Sequence, residues 1–564
     1  MVLRESGIVT WLNRHSVAVF ILLTVIGSLR IVSTYSVFSH TVDEPAHLAC
    51  GMEWLDQGIY DYEAQHPPLA RVAIALGPYL AGETSHGVPE KWAEGLQILG
   101  AGNHYDRTLA LARLGILPFF WIASFVVYCW ARKYCGEPDA ALAVLAFTSL
   151  PPILAHAGLA TTDMALTAMT GAAFLSAVNW SEHPTLRNSL VFGGCSGLAL
   201  LSKFSALVFL PISLFAALAG LLLIERRPLQ TVVAGARERI LPLCWVVLAA
   251  FVVTWAGYRF SFGPVPFSSI PLPFPELYQG IMEVVAHNQA GHYASYLLGE
   301  RRDLGWWYYY FIALGVKTPL AFLALLGFGL MTALRRPLNR GLWLALVFSC
   351  SILLFCMSSH INLGIRHILP VYLGFSILAA AGASELLQHA RQWRPAGWLA
   401  GALLLSLTVS SALAHPDYLA YFNPLAGSKP EQVLIDSDLD WGQDLKRLSA
   451  RLRELGATEV AFTTTFAVDF QAQEFPRVIP NDFERPLPGW NAVRLTLLQV
   501  IRANLRAQHP EIRIWPDYFK PTERIGKGIL LWYFPPEAFQ APTSGVAGGK
   551  PDIRDVQQKS LKYP

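Results

Sequence analysis

Two adjacent carboxylates, Asp43 and Glu44, sit in the stretch HTVDEPAHLACGMEW at residues 40–54. Side by side, two acids raise one apparent pKa and leave a usable proton acceptor. A helix N-terminus also welcomes an acid, at about 0.3–1 kcal/mol, so the pair has a structural use too. Other ionisable groups fall in comparable places. HAGLATTDMALT carries Asp163, LLSKFSALVFLP carries Lys203, WWYYYFIALGVKTPL carries Lys317, and NLGIRHILP carries Arg366 and His367. Such a group inside an apolar segment costs about 2.5–3.5 kcal/mol on insertion scales. Taken singly, each cation could snorkel toward headgroups, and Asp163 could serve as a helix-terminal acid or a lysine's partner. His47, His66 and His367 suit structural hydrogen bonds better than ligation. Taken together, acids and cations near one depth imply a shared polar cavity.

The elements that must hold these groups follow from composition. The chain has 564 residues, 53% hydrophobic and 15% charged, with mean hydropathy +0.38. A soluble protein carries about 25% charged residues, so the deficit points to a membrane protein. A formal charge of +3 gives no reason to expect a nucleic-acid partner. Apolar runs at about 16–36, 108–131, 138–157, 161–180, 188–203, 205–224, 240–258, 306–333, 341–359, 366–386 and 396–414 predict about eleven spans. Basic residues recur in alternate loops (Arg4 and Arg14, Arg132 and Lys133, Arg187, Arg226 and Arg227, Arg335 and Arg336, Arg391 and Arg394), which places those loops in the cytoplasm. The expected location is therefore the cytoplasmic membrane, multi-pass. Residues 37–107, 259–305 and everything after 415 fall on the outer side, along with Asp43 and Glu44. Of the seven cysteines only Cys50 lies in an outer loop, so no disulfide framework is expected.

The spans and their loops form one unit, 1–414. In loop 37–107, Pro45 and Gly58 bracket a short helix, and the paired prolines of QHPPLARV break any helix. Loop 259–305 is proline-rich and then helical. Residues 415–540 predict a small extracytoplasmic α/β domain. Its expected strands are VLIDSD, TEVAFTTTF and GILLWYF, with helices through DLDWGQDLKRLSARLRELG, capped by Asp440 and Gln443, and near 491–508. The acids of DSDLD resemble a calcium loop, but Trp441 and Arg447 stand where that loop wants glycine and glutamate. Strand-end and capping roles suit them better. Residues 541–564 look disordered.

The ordered set DE, HPPL, TTDMALT, SKFS, WWYYY…KTPL and NLGIRHILP resembles polyprenyl-phosphate-dependent glycosyltransferases of the type C (GT-C) fold. The likeness is to the protein O-mannosyltransferase and aminoarabinose-transferase group, and YFNPLAG and DSDLDWGQDL resemble a prokaryotic branch of it. It covers roughly residues 16–450. The resemblance implies a polytopic helical fold and transfer of a sugar from a polyprenyl monophosphate, held in the membrane, to an acceptor hydroxyl of a protein, lipid or glycan. It implies Asp43 as general base, with Glu44 positioning the acceptor or tuning Asp43, and Asp163 orienting the sugar or acceptor. A phosphate leaving group needs charge more than a proton. Lys203 and Arg366 suit that, with Lys317, His367 and His66 as further substrate-binding candidates. Attack opposite the departing phosphate inverts the anomeric carbon, as in inverting hydrolysis. No cofactor is required; the acids with His66 leave a divalent metal possible. A transporter or flippase for an anionic substrate would also gather charges in a bundle, but with interrupted helices and internal repeats near the midplane. The sequence shows neither.

Overall fold

The computed structural model describes residues 7–225, 237–265, 267–291, 295–336, 339–390 and 392–539. The tail 541–564 and the loop arginines Arg226, Arg227 and Arg391 lie outside the described residues. The fold class expected from the sequence stands: a polytopic helical bundle carrying a small domain of mixed helix and strand. Five helices are long and apolar enough to cross a membrane by length and composition: Thr10–Val32, Tyr105–Cys135, Ile240–Gly257, Val371–His389 and Arg394–Leu413. The runs expected at 161–180, 188–203, 205–224 and 341–359 form the helices Asp163–Glu182, Leu186–Ser202, Ala206–Glu225 and Arg340–Cys356, which fall short of those limits.

Two expected spans are broken, against the continuous helices read from sequence. Glu137–Thr148 and Pro151–Ala157 meet at 67°, and Tyr309–Lys317 and Leu320–Arg335 at 116°. Prolines explain both. Pro151 and Pro152 open the second member of one pair, and Pro319 precedes that of the other. A proline has no N–H for the preceding turn and pushes the residue before it out of the helical region. Between the helices runs one continuous apolar core that includes Ile31, Phe120, Phe147, Phe174, Phe348 and Tyr372. Burying each such ring contributes about 1.5–3 kcal/mol.

The loop after the first helix folds back over this bundle. Glu44–Met52 is helical with Pro45 in its first turn, and Gly58 at φ 75° ends the following π turn. The paired prolines do not exclude a helix there; Pro68 starts one, Pro68–Leu80, since proline tolerates a first helical position. The proline-rich stretch forms a hairpin of β1 (Phe262–Val265) and β2 (Ser268–Pro273) ahead of the helix Pro275–Ala290. A second short hairpin pairs β3 (Tyr296–Leu297) with β4 (Glu300–Arg301).

The last part holds a five-stranded sheet of β5 (Glu459–Ala461), β6 (Arg477–Ile479), β7 (Gly489–Arg494), β8 (Glu523–Ile525) and β9 (Ile529–Phe534), in spatial order β6-β5-β7-β9-β8. Alternation along β7 and β9 feeds two cores. Ala492 and Leu531 meet the helix Leu445–Glu454 through Leu448 and Leu452, while Val493 and Trp532 meet Leu498 and Trp515. VLIDSD is not a strand; it ends in a 3₁₀ turn, Asp436–Asp438. The helix expected near 491–508 is strand up to Arg494 and helix from Leu495. Asp440 and Gln443 do not cap the helix at Leu445, because both are drawn into the site described next.

Candidate active site

Asp43 and Glu44, adjacent in sequence, point into different surroundings. Glu44 is buried. Its Oε1 accepts from Arg113 Nε at 2.8 Å and from the Ala160 amide at 2.8 Å. Its Oε2 accepts from Arg113 Nη2 at 2.9 Å, the Thr41 amide at 2.7 Å and the Thr41 hydroxyl at 3.2 Å. Burial pushes this carboxyl up, but Arg113 and the backbone donors outweigh it and hold it below the usual carboxylate range. These five donors occupy both oxygens of Glu44, the residue expected to position the acceptor or tune Asp43. It ties the loop to two neighbouring helix ends.

Asp43 is 31% exposed, and its Oδ2 accepts from Arg366 Nη1 at 2.9 Å. The same Nη1 lies 4.0 Å from Asp163 Oδ2. Asp163, at the first turn of its helix and 1% exposed, accepts from Lys203 Nζ at 2.6 Å through Oδ1. Lys203, Asp163, Arg366 and Asp43 thus form a chain of alternating charge, buried in the middle at Asp163 and Arg366, partly exposed at Lys203 and most open to solvent at Asp43. Four separate segments supply it. Lys203 and Arg366 do come together, bridged by Asp163.

His66 joins from the loop's second half. Its Nδ1 lies 3.3 Å from Glu63 Oε2 and from Arg71 Nη2, and its ring meets His47 edge-on at 5.2 Å. Glu63 also pairs with Arg71 and with Lys91, the latter at 2.9 Å. Burial, then the Lys203 charge, pushes His66 down to about 3, so the ring is neutral near pH 7. His47 is lowered for the same first reason, with Arg71 next. Among the described residues no three His, Cys, Asp or Glu side chains gather to hold a metal ion. The described cysteines are unpaired with one another.

Lys317 has partners of its own. It is buried, and its Nζ donates to the carbonyls of Leu419 at 2.7 Å and Asp438 at 2.5 Å. Those acceptors belong to the segment leading into the sheet domain, so Lys317 fastens that domain down instead of facing the charge chain. His367 Nδ1 lies 3.3 Å from the Tyr310 hydroxyl.

Residues 436–443 hold the site together, a part that their sequence alone did not reveal. The Ser39 amide donates to the Gln443 carbonyl at 3.1 Å and the Val42 amide to the Trp441 carbonyl at 3.0 Å, which fixes the strand-like lead into Asp43. Asp438 Oδ1 accepts from the Ile365 amide at 3.1 Å, and Ser437 Oγ donates to the Leu363 carbonyl at 2.9 Å, which fixes the turn carrying Arg366. Gly364 lies in this turn at φ 83°, and a Cβ there would come within 2.7 Å of Asp438 Oδ2. Only glycine fits. Asp440 accepts from Arg494 Nε at 3.1 Å and the Thr496 amide at 3.1 Å. Arg113 and Trp441 are the residues that sequence reasoning missed. The signal for Arg113 was an arginine within an expected span.

Residues 109–256 match the family model of dolichyl-phosphate-mannose-protein mannosyltransferases. The match falls inside the stretch covered by the motifs, and the resemblance to type C glycosyltransferases of the mannosyltransferase and aminoarabinose-transferase group stands. Comparison with curated proteins gives no match. Among solved structures, ArnT from Cupriavidus metallidurans bound to undecaprenyl phosphate is 14% identical, covering 91% of this chain and 97% of its own, at a TM-score of 0.49. The Archaeoglobus fulgidus oligosaccharyltransferase tethered with an acceptor peptide is 14% identical over 79% of this chain and 58% of its own, at 0.48. The S. cerevisiae Pmt1-Pmt2 protein O-mannosyltransferase complex bound to the sugar donor is 16% identical over 43% and 33%, at 0.35.

Proposed function

We propose that this glycosyltransferase-like membrane protein moves a sugar from a polyprenyl-phosphate donor to an acceptor hydroxyl on the outer face of the membrane, with inversion, and that Asp43 is the general base. One observation carries the reading: the alternating chain Lys203–Asp163–Arg366–Asp43, buried at Asp163 and most open to solvent at Asp43. The donor's phosphate replaces the Asp43 carboxylate on Arg366, a trade between like-charged partners of similar hydrogen-bond geometry, and takes a further N–H of Lys203, which keeps its bond to Asp163. That exchange draws Arg366 away from Asp43 and leaves the Asp43 carboxylate free to take the acceptor's proton. The acceptor oxygen bonds to the anomeric carbon as the bond from that carbon to the phosphate breaks, and the polyprenyl phosphate leaves with the electron pair. Asp163 stays fixed, holding the spacing of both cations. His66, neutral, offers a hydrogen bond to a sugar hydroxyl beside them.

Purified full-length protein is incubated with radiolabelled polyprenyl-phosphate sugars and scored for consumption of the lipid donor. Consumption by the native protein, lost in Asp43→Asn, is the expected result. The two interrupted helices also fit a transporter. In vesicles that reading gives movement of the lipid across the bilayer without release of sugar, and that outcome would replace glycosyl transfer.

A further inference from the structure

Trp441 meets Arg366 with its ring and the residue before Asp43 with its backbone. The Arg366 guanidinium carbon stands 4.2 Å from the centre of the Trp441 ring. The Trp441 carbonyl accepts from the amide of Val42, the residue before Asp43, at 3.0 Å. Trp441 itself is 2% exposed and has no freedom to adjust. Its amide donates to Gln443 Oε1 at 2.8 Å, and Gln443 Nε2 returns to the Leu439 carbonyl at 2.7 Å. On the preceding side Asp440 is pinned to Arg494 and Thr496 of the sheet domain. Gly442, at φ 100°, lets the chain turn against the Phe466 ring.

We infer that Trp441 is a positioning residue: its indole face holds the Arg366 guanidinium at the height at which it reaches both Asp43 and the incoming phosphate, so the sheet domain supplies one wall of the catalytic centre. The reasoning is geometric. Arg366 has a long side chain with five N–H donors, and besides its bond to Asp43 it is aimed by one face contact and by Nε donating to the Leu363 carbonyl at 3.3 Å. A cation over tryptophan is attracted by the ring face more strongly than over tyrosine or phenylalanine. Without that face the guanidinium has carboxylates on more than one side, Asp43 at 2.9 Å and Asp163 at 4.0 Å, and no surface that fixes its plane between them. A leucine of similar reach would fill space but would not aim the guanidinium. The inference rests on the proposed transfer reaction for its kinetic arm only.

Two measurements on the full-length protein test it. The first needs no turnover: phenylglyoxal, which modifies accessible arginines, is followed at Arg366 by mass spectrometry in the native protein, Trp441→Phe and Trp441→Leu. Arg366 in Trp441→Leu should react at least about tenfold faster than in the native protein, with Trp441→Phe between them, as loss of a cation–π contact predicts. Arg71 and Arg113, both buried, should stay unreactive in all three, since a merely misfolded variant would expose them too. Native-like reactivity of Arg366 in Trp441→Leu overturns the inference, and so does general exposure of the buried arginines. In the second, kcat on a polyprenyl-phosphate sugar should fall about 10²-fold in Trp441→Leu, the scale of an ångström-sized misplacement, while Trp441→Phe recovers most of it. In an Arg366→Met background the Trp441→Leu change should add little; a full, additive loss there would mean that Trp441 acts on something other than Arg366. If the native protein consumes no such donor, the transfer reading fails while the labelling result still decides the role of Trp441.

Discussion

The surroundings of Glu44 and of Asp43 differ more than any two residues of one type joined by a peptide bond have reason to. Glu44 lies in a closed seam where Arg113, Thr41 and the Ala160 amide use both its oxygens. Asp43 lies at a rim with Arg366 on one oxygen and solvent nearby. A closed seam spends its polar groups on each other and stabilises the fold. An open rim keeps one partner exchangeable, and exchangeable ion pairs are what a charged substrate needs. Chemistry should therefore follow Asp43, and stability should follow Glu44.

The sharpest way to break this comparison is to swap both acids for their amides. Asp43→Asn should lower single-turnover transfer with saturating donor by about 10²–10⁴-fold, the range for losing a general base, with an unchanged thermal midpoint. Near-native turnover would move the base to another residue. Glu44→Gln should instead destabilise by about 3–5 kcal/mol, since it strands the buried Arg113 charge. Its residual folded fraction should retain near-native single-turnover rates, as read by activity per folded molecule. A Glu44→Gln protein that melts like the native one but does not turn over would reverse the roles of the two acids.

The same contrast separates the two cations. Arg366→Met unpairs the partly exposed Asp43 but leaves Asp163 its short bond to Lys203, so polyprenyl-monophosphate binding should weaken about tenfold, the worth of one hydrogen bond to a charged group, at the smaller cost in stability. Lys203→Met strands Asp163, which is 1% exposed, and should lose both binding and stability. Equal melting of the two variants would contradict the difference in burial between Asp163 and Asp43.

The smallest effect is a pair of opposite pH slopes. Glu44 is held below its usual value, so its stabilisation is present above the unfolded carboxylate pKa and is lost as pH falls through the folded one. Asp436, pushed up to about 6 first by burial and then by neighbouring Asp43 against the pull of Arg366, works the other way. Its protonated form suits the fold, so that contribution is full below about 4, the unfolded value, and fades as pH rises to 6. Melting of native protein and Asp436→Asn across pH 4–7 should show the variant gaining on the native protein as pH rises. A difference between them that ignores pH would rule out titration of Asp436 as a source of the slope.

The motifs placed most of this site in view because charge in an apolar run is costly and therefore visible. Asp43, Asp163, Lys203 and Arg366 stood out in that way, and they meet. What stayed hidden depends on partners remote in sequence. Nothing in WWYYYFIALGVKTPL says that Lys317 ends on the carbonyls of Leu419 and Asp438, because carbonyls carry no residue identity. Glu44 and Asp43 look equivalent in DEP until Arg113 is known to reach only one of them. VLIDSD has the apolar run of a strand, but Ser437 and Asp438 are taken by the Arg366 turn, and that tertiary demand overrides local preference. The helix breaks were readable from Pro151, Pro152 and Pro319, whose neighbours are apolar enough to have hidden them.

The backbone bonds from Ser39 and Val42 to Gln443 and Trp441 join chain positions about four hundred residues apart. During synthesis the first helix and the DE pair emerge well before their partner segment is made. If that piece is exported as the alternation of basic loops requires, every intermediate on the ribosome or in the insertion machinery carries the acids and most of the cations but lacks the wall that aligns them. On the proposed reaction, the nascent protein is then inert toward lipid donors until the sheet domain has crossed and folded. Contacts of such separation form late because loop closure precedes their reward. A chain that stalls or is clipped after residue 414 is expected to insert, persist in the membrane and catalyse nothing.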